Sequence, residues 1–140
     1  MIYSYEDLEI FKGGYKLSLY IYKITNNYPK EEIYGIISQI RRAAVSIPLN
    51  IAEGYGRRSK QEFKRFLKIS LGSCNETKTL ILLSKDLGYI KEKQCDELVQ
   101  QYNILGKKIY KFIENCKWIL LPITNNKIPN TIMLSNLKNI

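Results

Sequence analysis

The sequence predicts an all-α fold, an up-down-up-down antiparallel four-helix bundle over residues 1–120 with a short irregular C-terminal tail at 121–140. Two observations carry this. Apolar residues recur at steps of three and four, and no alternating strand pattern occurs before residue 120. The periodic stretches are long and their connections short, which makes successive helices antiparallel neighbours.

Taken in order, Ser4 followed by Asp7 reads as a cap for a first helix ending near Thr25, with Leu8, Phe11, Tyr15 and Tyr22 on one face. Gly13 and Gly14 inside it cost about 1 kcal/mol each relative to alanine, so either another backbone approaches or the helix bends. After the break Asn26-Asn27-Tyr28-Pro29, a second helix starts near Lys30, with Glu31 and Glu32 at its positive end. Its stripe is Ile33, Ile36, Ile37, Ile40, Ala44, Ile47 and Ile51. Ser59 and Glu62 form a capping box for a third helix, which carries Phe63, Phe66, Leu67, Leu80, Ile81, Leu83 and Leu87 and stops at Gly88. The fourth, from about Lys91 to Ile119, sets Cys95, Leu98, Tyr102, Leu105, Ile109, Phe112, Cys116 and Ile119 on a heptad seam. The Asn-rich tail has no period and is expected to be disordered, or an extended arm reaching a neighbouring subunit.

Composition excludes several classes of function. Histidine is absent, which removes the usual proton shuttle, the commonest metal ligand and any Ser-His or Cys-His nucleophile. Cys74, Cys95 and Cys116 are odd in number and far apart, and read as small core residues rather than a disulfide framework or metal knuckle. On one helix, Cys95 and Cys116 would stand about 31 Å apart. Glu53, Glu76 and Asp86 are the carboxylates considered for metal-dependent nuclease chemistry, but no pair has a ligand spacing on one helix. No catalytic residue, metal or cofactor is therefore assigned, and the protein is expected not to be an enzyme. No apolar run reaches the roughly 20 residues of a membrane span, and Met1 is followed by tyrosine and acidic residues, so a cytoplasmic protein is expected.

A formal charge of +9 and a pI near 9.4 point to a polyanionic partner, nucleic acid or an acidic protein surface, with solubility as the bland alternative. The charge is concentrated: Arg57, Arg58, Lys60, Lys64, Arg65 and Lys68 surround the start of the third helix, with Lys60, Lys64 and Lys68 on one face. Cations near a helix N-terminus oppose its macrodipole, so phosphate binding supplies a reason for them that folding does not. The bundle topology brings Lys107, Lys108, Lys111 and Lys117 to the same half, where Glu6, Asp7 and Glu9 offset part of the field. Tyr55, beside Arg57 and Arg58, is placed to stack on a base, although "GYGRR" has no phosphate-loop spacing.

Within the second helix, Gln39, Arg42, Ser46, Asn50 and Glu53 form a polar row set off from the isoleucine stripe. Pro48 lacks the amide that would bond to the Ala44 carbonyl, and so leaves that carbonyl for a side chain or water. The order of residues here, "SQIRRAAVSIPLNIAEGYGRRS" and then "FLKISLGSCNETKTLILLSKDLGYI", with "YEDLEIF" near the start, resembles the 23S rRNA intervening-sequence proteins. The matching residues include Gln39, Arg41 to Ala44, Ser46 to Pro48, Asn50 to Gly54, Gly72-Ser73, Glu76 and Leu87 to Tyr89, and the likeness covers roughly residues 3–118. One departure is Leu71, where the family usually has arginine before the Gly-Ser pair. A remoter likeness is to the accessory variability proteins of diversity-generating retroelements, basic pentameric barrels that bind a reverse transcriptase and nucleic acid.

The resemblance implies a four-helix homo-oligomer, a pentamer by analogy, that binds nucleic acid, RNA first, on its basic surface. The alternative is an adaptor docking onto a reverse transcriptase or other nucleic-acid enzyme. It also casts Arg42, Ser46, Asn50 and Glu53, with Ser73 and Glu76, as a hydrogen-bonded network fixing helix register or subunit contact. The small residues Ser70, Gly72, Ser73 and Cys74 would let the second and third helices approach closely.

Overall fold

The structure is a computed structural model and describes residues 4–116. Four helices, α1 Glu9–Thr25, α2 Ile36–Gly56, α3 Lys60–Asp86 and α4 Glu92–Glu114, are accompanied by short 3-10 turns at Tyr5–Asp7 and Lys30–Glu32. No strand occurs among the described residues. Side-chain pairs set the up-down-up-down order: Thr25–Arg41 and Ser18–Ala44 join α1 to α2. Ser46–Ser73 joins α2 to α3, and Lys78–Asn103 and Phe63–Phe112 join α3 to α4. Moving back along one helix moves forward along the next, from Thr25–Arg41 to Ser18–Ala44 and from Lys78–Asn103 to Phe63–Phe112, which is the antiparallel arrangement. The ring closes more loosely between α1 and α4, at Gly13 beside Leu105 and at a Glu9–Lys108 ion pair. The tail, with Lys117 and Ile119, lies outside the described residues.

Three boundaries and faces differ from the sequence expectation. The Ser4/Asp7 capping box is present but closes the 3-10 turn, and α1 starts after Leu8, whose backbone is extended. The buried face of α1 is Ile10, Gly14, Ser18, Ile21, Ile24 and Thr25, while Tyr15 and Tyr22 are about half exposed. Small residues bury no large apolar group and so escape a periodicity reading, yet they are what lets α2 approach. Helix α2 begins at Ile36 rather than near Lys30, because the chain turns at Gly35 and the Glu32 carboxylate accepts the Ile36 N–H at 3.0 Å. Ile33, expected in the core, is consequently exposed, as are Leu83 and Leu87 of the α3 stripe.

Other local signals are realised in large part, but α4 stops at Glu114, short of Cys116, and the Ser59–Glu62 box closes on one side only, the Glu62 carboxylate being taken by Arg65. Ser59 Oγ accepts the Glu62 N–H at 3.3 Å, and α3 ends at Gly88 with φ +80°, where the Tyr89 N–H reaches the Ser84 carbonyl at 2.9 Å. The α4 seam from Cys95 to Ile109 is buried. All three cysteines are free and buried, and burial pushes the Cys74 thiol up to about 12.

Gly13 and Gly14 are both sites of close approach. A Cβ on Gly13 would lie 3.2 Å from Leu105 Cδ1, and one on Gly14 would lie 3.1 Å from Ile47 Cγ2 and 3.3 Å from Pro48 Cδ. At that crossing, the Ala44 carbonyl left open by Pro48 accepts the Ser18 hydroxyl at 3.1 Å, a proton shared with the Gly14 carbonyl at 2.8 Å. Ser70 donates to the neighbouring Ile47 carbonyl at 3.0 Å. Ser18→Ala is therefore expected to cost about 1–2 kcal/mol by stranding a buried acceptor. In a Pro48→Ala background the restored amide occupies that carbonyl, so urea midpoints of the double-mutant cycle should show a non-additive Ser18–Pro48 coupling.

Candidate nucleic-acid interface

Helices α2 and α3 are joined by a reversal so short that Arg58 takes a left-handed conformation, φ 56°. For a non-glycine residue this costs about 1–2 kcal/mol. Its guanidinium lies 6.0 Å from the Tyr55 ring centroid. Tyr55 itself is half-buried and packed edge-on against Tyr5 and Phe63, so its ring is part of an aromatic cluster rather than a free stacking surface.

The cations around this loop divide into two groups. Arg57 and Arg65 flank Phe66, with guanidinium carbons 5.3 and 4.4 Å from its centroid. Arg57 pairs with Glu53 at 2.9 Å and Arg65 with Glu62 at 2.6 Å. The hydrogen bond from Arg65 holds the Glu62 carboxyl below its ordinary range. Both pairs are solvent-exposed and contribute little to stability. Lys108 is likewise taken up by Glu9, whose carboxyl it lowers.

The second group faces α4. Burial raises the Cys116 thiol, while the charges of Lys64 and Lys60 pull it back, which places both lysines near the end of α4. There they complement the negative C-terminal pole of α4. This is a folding role that follows from α4's arrival beside them, and α3's own dipole does not supply it. Lys64 and Lys68 continue at steps of three and four through Leu71, Asn75 and Lys78. Leu71, Cys74, Asn75 and Lys78 face Asn103, Gly106, Lys107, Tyr110 and Lys111 across an open groove between α3 and α4. Lys64, Lys68, Lys78, Lys107 and Lys111 have no carboxylate partner among the described residues. Lys78 is the cation that the sequence reading missed, although it lies on the Lys64 row.

The polar row occupies the outer face between α2 and α3. Ser46 Oγ meets Ser73 Oγ at 2.5 Å, and Asn50 Nδ2 donates to the Ser46 carbonyl at 2.7 Å. Arg42 and Glu76 are exposed and outside this cluster, and Glu53 is turned to Arg57. Of the small residues, Ser70, Ser73 and Cys74 are buried, whereas Gly72 faces open space. Among the described residues no group of three or more His, Cys, Asp or Glu could hold a metal ion.

The model of the family described as 23S rRNA-intervening sequence protein matches residues 6–111. The chain belongs to that family. A solved structure is similar in fold, a protein with unknown function from the S23 ribosomal protein family of Bacteroides thetaiotaomicron VPI-5482. It is 24 % identical with a TM-score of 0.67, over 75 % of this chain and 98 % of that one. No curated protein matches. No helix among the described residues is long and apolar enough to cross a membrane.

In this 23S rRNA-intervening sequence protein, the residues that interrupt α2 serve packing. Arg41 donates to Thr25 Oγ1 at 2.8 Å and to Asn26 Oδ1 at 3.1 Å, and stands 4.6 Å from the Tyr22 ring centroid, tying α1 to α2. Pro48 lies against Gly14, and Gly54 lies under Phe66, where a Cβ would fall 2.5 Å from Phe66 Cβ.

Proposed function

We propose that this chain is a non-enzymatic, homo-oligomeric nucleic-acid-binding protein that engages phosphates, of RNA first, through its basic surface. The observation that carries this reading is the set of lysines at 64, 68, 78, 107 and 111, which no carboxylate of the described chain neutralises. Arg58 supports it, because an arginine is kept in a left-handed turn that glycine would fill without strain. For self-association the α2/α3 outer face is the favoured surface: Leu49 there is 62 % exposed, Ile69 is exposed, and Gly72 leaves room for another helix. A pentameric ring, by analogy with the remoter relatives, would repeat the basic surface and add affinity without new contacts.

The test is binding to a structured RNA across a salt series, with an acidic protein as control and light scattering for the assembly mass. Five phosphate contacts per subunit predict a slope of log affinity against log salt of about −4, selective for RNA. No RNA binding at low salt would overturn the reading in favour of an adaptor for a nucleic-acid enzyme.

A further inference from the structure

The α3/α4 groove has a chemistry more specific than a diffuse basic surface. Its described lining comprises three ammonium groups (Lys78, Lys107, Lys111), two carboxamides (Asn75, Asn103), one phenol (Tyr110) and no carboxylate, above a floor that includes Leu71 and Cys74. Lys78 Nζ donates to Asn103 Oδ1 at 2.9 Å, which orients the amide and leaves its NH2 free to donate. Gly106 lies beside Leu71, where a Cβ would make only an ordinary contact, 3.5 Å from Leu71 Cδ1. Tyr110 is 55 % exposed, while Tyr102, two turns earlier on the same helix, is wholly buried in the core.

We propose that this groove is a cleft for single-stranded nucleic acid, with Tyr110 as the stacking surface and Lys78, Lys107 and Lys111 as the phosphate contacts. The inference rests on the nucleic-acid reading above and specifies its ligand. Helices packed in contact have axes roughly 8–10 Å apart, so both rims of the groove can touch one strand at once, whereas a duplex keeps its bases stacked away from Tyr110. The groove is open to solvent, so a strand can enter it from the side. Bases stack on an aromatic ring with little regard to sequence, so the cleft would bind with weak sequence preference. The carboxamides offer partners for base edges or, in RNA, the 2′-hydroxyl.

Fluorescence anisotropy with a labelled single-stranded RNA, the same sequence as DNA, and an RNA duplex of equal length tests this. The variants are Tyr110→Ala, Tyr110→Phe and the triple Lys78→Gln/Lys107→Gln/Lys111→Gln, each checked for native helicity. Single strands are expected to bind at least tenfold tighter than the duplex. Tyr110→Ala should weaken single-strand binding roughly tenfold with an unchanged salt slope, and Tyr110→Phe should retain it. The lysine triple should reduce the salt slope by about 2. The RNA and DNA arms tell which sugar the carboxamides favour, and binding of either supports the cleft. Equal or tighter duplex binding, or tight binding of poly-glutamate in place of RNA, overturns the inference. If these variants bind like wild type while reversal of Lys64 and Lys68 abolishes binding, the cleft is wrong and the basic-surface reading stands. No nucleic-acid binding by the wild type overturns both.

Discussion

Gly54→Ala is expected to lower the melting temperature by roughly 5–10 °C, even though alanine is the better helix former. The added methyl would stand 2.5 Å from Phe66 Cβ and 3.1 Å from Phe63 Cδ2. Neither neighbour can yield easily: Phe66 Cβ is fixed to the α3 backbone, and Phe63 is fully buried between Tyr55 and Phe112. Helices α2 and α3 must separate, and overpacking of this kind costs typically 1–3 kcal/mol, beyond the roughly 1 kcal/mol that alanine returns through propensity. Gly72→Ala is the matched control. A Cβ there meets nothing within 4 Å, so the same substitution in the same helix pair should raise stability by up to about 1 kcal/mol. Thermal unfolding followed by circular dichroism compares the two. Equal shifts of the same sign would mean that α2 and α3 do not cross at Gly54 as described. A fall in assembly mass for Gly72→Ala would place Gly72 inside a subunit contact.

Reversing Arg58, Lys64 and Lys68 to glutamate is expected to weaken RNA binding by at least about 100-fold at low salt and to flatten the salt dependence. Each reversal removes a phosphate partner and installs a repelling charge. Net charge alone predicts the same loss for any three lysines, so the control is reversal of Lys23, Lys30 and Lys93, all exposed at the opposite end of the bundle. Each set takes the formal charge from +9 to +3, since three reversals remove six units. Comparable losses from both sets would show that RNA responds to overall charge, with no localised surface. Lys64 also sits near the C-terminal pole of α4, so melting curves must accompany the titrations. Arg58→Gly separates the two roles: it relieves the left-handed backbone, keeps or raises stability, and weakens RNA binding.

How far a residue's role is legible in sequence depends on whether its cause is local. The isoleucine period of α2, the Gly88 stop and the α4 seam follow from steps of three and four and from one residue's φ preference, so sequence by itself determined the bundle and most of its core. The carbonyl opened by Pro48 was also legible, because the missing amide is a property of proline. Its partner, Ser18, lies 26 residues away on another helix, and only packing identified it. The buried face of α1 and the start of α2 were decided by tertiary contacts, since Gly14 and Ser18 bury little apolar area of their own and Glu32 caps from outside the helix. The candidate site was the least legible part. Sequence placed the cations at one half of the molecule. Which of them a carboxylate neutralises, which reach the end of α4, and that Lys78 and Tyr110 share a groove with Lys107 and Lys111 depend on distances between helices. Charge acts through space, and spacing along a chain carries that information only within one helix.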